Sequence, residues 1–270
     1  MVRRLLRNRN VVIGTTIFAV LLAAAVLADV IASHNPTRLD PVNRLKPPSA
    51  GNLLGTDEFG RDVYSLVVHG SRVSLLVGSV TMVLTSLGGI ALGLVAGYAR
   101  RLDAVVMRVT DGLMAFPAVL LAIAISGALG PGLPNTLISL SIVFIPRVVR
   151  VAESATVQVK GLEYVAAARA SGAGVAQILR HHLLANVLGP VLVFASTQVS
   201  LSIILAAGLS FLGLDVTPPA PEWGLMLNTL RQSIYVNAIV PALPGVAIFV
   251  TSMAFNLVSD GLRDAMEIRT

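Results

Sequence analysis

Apolar residues fill this chain in blocks of about 20, the length at which an α-helix rising about 1.5 Å per residue crosses a ~30 Å hydrocarbon layer. Such blocks fall at 11–30, at 75–99, twice within the neutral run 112–146, at roughly 187–214 and at 236–259. The "GPGLP" at 130–134 divides the long neutral run into two helices joined by a tight turn. The pattern predicts an all-α integral membrane protein with six transmembrane helices. Its expected parts are a tail at 1–10, a first helix at 11–31, a loop at 32–74, a five-helix core at 75–262 holding a polar loop at 154–186, and a tail at 263–270. The opening "RRLLRNR" followed by apolar residues has the outline of a signal peptide. Its apolar run exceeds the ~7–15 residues usual for one, so it reads as an anchored span.

Composition narrows the class further. Of 270 residues, 55% are hydrophobic and 13% charged, and the mean hydropathy is +0.81. A soluble domain carries roughly 25% charged residues, so a membrane protein is the class that fits. The chain has no cysteine, which excludes disulfides, thiolate zinc sites and cysteine nucleophiles. The net charge is +6, but in a membrane protein its placement matters more than its sum. Arg3, Arg4, Arg7 and Arg9 precede the first span, and Arg100, Arg101 and Arg108 follow the second. Arg147, Arg150, Lys160, Arg169 and Arg180 lie between the fourth and fifth, and Arg263 and Arg269 follow the sixth. In the loop at 32–74, basic residues are nearly balanced by Asp40, Asp57, Glu58 and Asp62. The asymmetry puts both termini and the 154–186 loop in the cytoplasm.

No span carries a charge near its middle, which weighs against a proton- or ion-coupled carrier. "GGIALGLVAG" offers small residues for close helix packing. Pro117, Pro190, Pro241 and Pro244 can kink helices that line a path or flex. Packing alone also accounts for both groups.

Among the motifs, "GTDEFGRD" has the glycine spacing of a phosphate-binding loop but Arg61 and Asp62 where Lys and Ser/Thr are needed. Its residues Gly55, Thr56, Asp57, Gly60, Arg61 and Asp62 instead predict a surface helix on the outer leaflet. Thr56 would cap it, Asp57 and Glu58 would face its dipole, and Phe59, Val63, Leu66 and Val67 would form its apolar face. "PPAPEWG" ends in Pro221, Glu222, Trp223 and Gly224. Its prolines stiffen an outer loop and Trp223 suits the lipid–water interface, as an anchor or as a contact for an external partner.

The polar stretch "EYVAAARASGAGVAQILRHHLLAN" predicts two short cytoplasmic helices. Ala166, Ala167, Ala170 and Ser171 make a low-relief face, flanked by Glu163 and Arg169, that fits a groove on another protein; a solvated loop is the alternative. Gly172 and Gly174 end the first helix. Val175, Ile178, Leu179 and Leu183 recur on one side of the second. His181 and His182 are adjacent and so point in different directions, which argues against a shared metal site.

This stretch resembles the cytoplasmic EAA loop of permease subunits from binding-protein-dependent ABC importers. "LLGTDEFGRDVYSLVVHGSRVSL", "PPAPEWGLML" and "PGVAIFVTSMAFNLVSDGLRDAME" resemble the second permease subunit of the subfamily that imports dipeptides, oligopeptides and nickel. Two positions depart from the family pattern: Ala166, Ala167 and Ala168 stand for Glu-Ala-Ala, and Leu184 and Ala185 for Leu-Pro. The resemblance implies a type I ABC importer permease fold in a bacterial cytoplasmic (inner) membrane. It implies a related permease sharing the path, two P-loop ATPase subunits that hold ATP and Mg, and a soluble extracytoplasmic substrate-binding protein. Neither a nucleic-acid partner nor a cofactor of this chain is implied. The ATPases would seat a coupling helix at about 164–172, with Glu163, Tyr164, Val165, Ala166, Ala167, Ala168, Arg169, Ala170, Ser171 and Gly172 forming the contact. Driving a two-state path from 1:99 to 99:1 takes ~5.5 kcal/mol, and no Gly-Lys-Ser/Thr loop here could draw it from ATP. A stand-alone secondary transporter or channel would need embedded ionisable groups or inverted repeats, and a scaffold would not need this groove-fitting helix.

Overall fold

The computed structural model describes residues 8–235, 237 and 239–267; Arg3, Arg4, Arg7, Val236 and Arg269 lie outside them. Helix α1, Arg9–Val26, is capped by the Asn8 side chain, which accepts from the Asn10 N–H. A break at Leu27 leads to the single turn Ala28–Ile31. The other helices are α2 (Val63–Tyr98), α3 (Arg100–Met114), α4 (Ala118–Leu129), α5 (Leu133–Lys160), α6 (Glu163–Ala170), α7 (Leu184–Phe211), α8 (Trp223–Thr229) and α9 (Ile239–Glu267). Among the described residues, five helices are long and apolar enough to cross a membrane. The bent pair α3–α4 passes the same test when its two helices are taken together as one broken span, the sixth.

Three expectations need correction. The 32–74 loop holds no separate interfacial helix, because α2 begins at Val63 and runs unbroken for 36 residues into the second span. Asp62, not Thr56, caps it, accepting from the Ser65 N–H. The third span is not confined to the neutral run at 112–146: its first half, α3, starts at Arg100. It meets the 12-residue α4 at 93°, next to Pro117, one of the prolines expected to kink a helix. Pro117 lacks an N–H and keeps Phe116 out of the helical region, so the helix breaks there. The fourth span passes through Pro146 and continues to Lys160.

The spans pack through small residues, as the "GGIALGLVAG" stretch suggests. A Cβ on Gly89, Gly93 or Gly97 would lie 2.4 Å from the Val148 side chain, 2.5 Å from Ala152 Cβ and 2.7 Å from Thr156 Cβ. Both rows advance by four residues, so one ridge of α5 lies in one groove of α2. Lipid tails are as apolar as the side chains, so van der Waals contact drives this pairing. Helix α1 lies against α9: Gly14 meets Ala254 and Leu257, Gly261 meets Val11, and the Phe18 and Phe255 rings stand 4.9 Å apart. Arg72 of α2 donates to the Ala25 and Val26 carbonyls and pairs with Asp29. It thereby satisfies carbonyls left open at the end of α1.

Candidate functional site

At the end of the bundle where α2 and α5 finish, α6 covers the helix ends. It is anchored through one face. Val165 is fully buried in a cluster with Ile178 and Leu183, against Leu94, Tyr98 and Val159. Tyr98 stands at the junction, with Lys160 Nζ 5.4 Å and Arg169 Cζ 5.8 Å from its ring centre. Lys160 also donates to the Gly97 and Tyr98 carbonyls at 3.3 and 2.7 Å, closing the C-terminus of α2. Asn186 Nδ2 donates to the Tyr164 hydroxyl at 3.1 Å, tying α6 to the start of α7.

The rest of α6 is largely exposed. Glu163, Tyr164, Ala166, Ala167, Arg169, Ala170, Ser171 and Gly172 are exposed, and Ala168 is half-buried. The helix ends in two nested bonds: the Gly172 N–H donates to the Arg169 carbonyl at 3.1 Å, and the Ala173 N–H to the Ala168 carbonyl at 3.0 Å. This Schellman stop requires a left-handed residue, and Gly172 supplies it at φ +86°.

The second short helix departs from expectation. Only Val175–Gln177 is α-helical, and Ile178–Leu183 forms a π-helical turn. Ile178 and Leu183 are both buried. In an α-helix, residues five apart point about 140° from each other; the wider π turn brings them to one side. Val175 is exposed instead.

At the other end of the bundle, the "GTDEFGRD" residues build a closed loop. Thr56 Oγ1 accepts from the Lys46 N–H at 2.8 Å and donates to the Asn43 carbonyl. Asp57 is fully buried: its Oδ1 accepts from the Phe59 and Arg61 N–H groups at 2.9 and 2.8 Å, and its Oδ2 from Arg61 Nε at 2.6 Å. An Asp side chain that captures nearby amides competes with helix, which is why no helix starts at Thr56. Gly55 and Gly60 turn the chain at positive φ. Asp62 accepts from Ser65, Ser33 and Asn52. Burial alone would push Asp62 up, but these hydrogen bonds and the Ser65 amide outweigh it and hold the carboxyl below its ordinary value.

Trp223 also corrects an expectation. It is 1% exposed, so it cannot sit as a belt residue among lipid headgroups. Its Nε1 donates to the Val67 carbonyl at 2.9 Å, and its ring lies over Gly70, where a Cβ would be 2.8 Å away. Glu222 caps α8, accepting from the Gly224 and Leu225 N–H groups, and also takes a bond from Ser74 Oγ. Gly224 lies against Ala207, where a Cβ would meet its Cα at 2.4 Å. Pro221 is half-buried just ahead of these contacts. The motif is a wedge between α2 and α7. Tyr98, Lys160 and Ser74 were not read as site residues, since a basic side chain near a helix C-terminus was the only local signal.

Two family models match the chain. Residues 89–270 match the inner membrane component of binding-protein-dependent transport systems, and residues 1–48 match the N-terminal transmembrane domain of oligopeptide transport permease C. A putative peptide transport system permease protein of Brucella abortus is 40% identical over 267 residues, covering 99% of this chain and 90% of the relative. The dipeptide transport system permease protein DppC of Alkalihalophilus pseudofirmus is 39% identical, covering 98% and 88%. The glutathione transport system permease protein GsiD of Pectobacterium atrosepticum is 39% identical, covering 98% and 89%. With its all-helical spans and the exposed short helix between α5 and α7, this multi-pass membrane chain belongs to the inner-membrane components of binding-protein-dependent transport systems, the type I permeases of ABC importers.

Proposed function

We propose that this chain is one half of a peptide-importing path in a bacterial cytoplasmic membrane, paired with a related permease and driven by two cytoplasmic P-loop ATPases. The observation that carries this reading is α6: a helix held rigidly by Val165 and its Schellman stop, yet presenting Ala166, Ala167, Ala170 and Ser171 outward. A low-relief face lets another backbone approach closely, and a rigid mount passes displacement on to the spans. Both termini and α6 lie in the cytoplasm, on the side favoured by the arginine distribution. ATP and Mg are held by the ATPases, and this chain catalyses no reaction. A soluble extracytoplasmic protein delivers cargo to the end bearing the 55–62 loop and Trp223. Relatives of this chain belong to dipeptide and glutathione transport systems, which supports a small peptide as cargo.

A single cysteine at Ser171 would be the only thiol in the chain, so a cross-linker in native membranes reports one place. Capture of a P-loop ATPase, with a yield that changes with ATP, is the expected result. A folded, abundant protein that captures none would return α6 to a solvated loop.

A further inference from the structure

Loop 212–222, between α7 and α8, carries an acid that the coupling mechanism does not use. Asp215 is 0% exposed, and no donor among the described residues meets either carboxyl oxygen in good geometry. The Thr136 hydroxyl of α5 points to the neighbouring Leu214 carbonyl at 3.5 Å. With the Val216 amide, it favours the anion only in part. The charged group that faces Asp215 is another acid, Glu222. Glu222 has three donors: Ser74 Oγ at 3.2 Å and the Gly224 N–H at 2.8 Å on Oε1, and the Leu225 N–H at 2.7 Å on Oε2. Of two neighbouring acids, the one with the poorer donors takes the proton.

We propose that Asp215 is a proton-binding residue that locks loop 212–222: neutral, it stays buried beside α5 and α7, and ionised, it draws the loop away from the helix ends into water. Burial, together with the Glu222 charge and against the Thr136 hydroxyl, pushes Asp215 up to about 6 from the ordinary 3.8. The folded value is raised, so the closed loop is favoured most below pH about 4. It weakens as pH rises towards about 6, and changes little beyond. A shift of about two pKa units corresponds to a roughly 100-fold change in the ratio of closed to open loop. Because the inference rests on this loop facing outside, it makes the outer closure of the permease sensitive to external pH.

The test uses the full chain in right-side-out vesicles and a membrane-impermeant thiol reagent. Leu209→Cys places a thiol behind the loop, at a side chain 2% exposed in the cluster against which Leu214 packs. Val42→Cys, at a position 86% exposed, serves as the reference that cancels the reagent's own pH dependence. The labelling ratio of the first to the second is expected to rise by up to about 100-fold between about pH 4 and about pH 7. Adding Asp215→Asn should hold the ratio at its acid level throughout. A pH-independent ratio in the parent, or an unchanged dependence in Asp215→Asn, overturns the proposal. If Asp215→Asn fails to reach the membrane, Thr136→Val replaces it: losing the hydroxyl should move the midpoint to higher pH, and an unmoved or lowered midpoint is the contrary result. Failure to label Val42→Cys refutes the sidedness alone, and the same ratio is then read in inside-out vesicles.

Discussion

Gly172 allows the mounting of α6 to be tested through the backbone alone. A Cβ built there meets nothing within 4 Å, so the cost of a substitution comes only from holding φ at +86° and from any lost hydrogen bond. Alanine pays about 1–2 kcal/mol for the left-handed region, whereas asparagine enters it more readily. Proline cannot adopt that φ at all, and it deletes the Gly172 N–H that bonds the Arg169 carbonyl. Loss of the helix stop then follows, at about 3 kcal/mol or more. One to two kcal/mol changes the population of a correctly ended α6 by roughly 5–30-fold. ATP-dependent uptake at matched membrane levels should therefore fall in the order Gly, Asn, Ala, Pro, with insertion unaffected and Pro abolishing transport. If asparagine is no better than alanine, the conformational argument is wrong. Near-normal uptake by Gly172→Pro would overturn the coupling role of α6 itself.

Three further outcomes are expected. Gly93→Ala should lower thermal stability in detergent by about 1–3 kcal/mol through overpacking. Adding Ala152→Gly should restore only part of this, because the Val149 carbonyl oxygen would still lie 2.8 Å from the new Cβ. Trp223→Phe removes the donor to the Val67 carbonyl and should cost about 1 kcal/mol, against about 3–5 for Trp223→Ala, both read from unfolding midpoints. Asp62 has a lowered folded value, so its contribution is present above pH about 3.8 and is lost as pH falls through that lower value. Hydrogen exchange in the 49–66 segment should quicken in strong acid, and less steeply in Asp62→Asn.

Length and hydropathy made the spans legible because a bilayer imposes both on any helix that crosses it. The α6 helix was legible too, since alanines followed by glycine describe a helix and its stop. What stayed hidden was decided by single polar contacts. Asp57 folds its own turn by capturing the Phe59 and Arg61 amides, which moved the start of α2 seven residues past Thr56, to Val63. Trp223 suits an interface by type, but Gly70 and Gly224 leave room for it to go inside. The π turn at Ile178–Leu183 needs both apolar residues buried on one side, and nothing local announces that.

The length of α2 bears on how an importer of this design can work. At 36 residues it is about 54 Å long, well beyond the ~30 Å hydrocarbon layer. One uninterrupted rod therefore joins the Asp62 cap, beside the Trp223 wedge, to Tyr98, where Lys160 grips its last carbonyls and Arg169 of α6 lies against the ring. In the proposed coupling, a push on α6 would arrive at the far end of such a rod as tilt or axial travel, with no relay of side-chain rearrangements in between. The permease would then transmit work as a lever does, and softening the shaft at mid-length should uncouple its two ends while leaving each end intact.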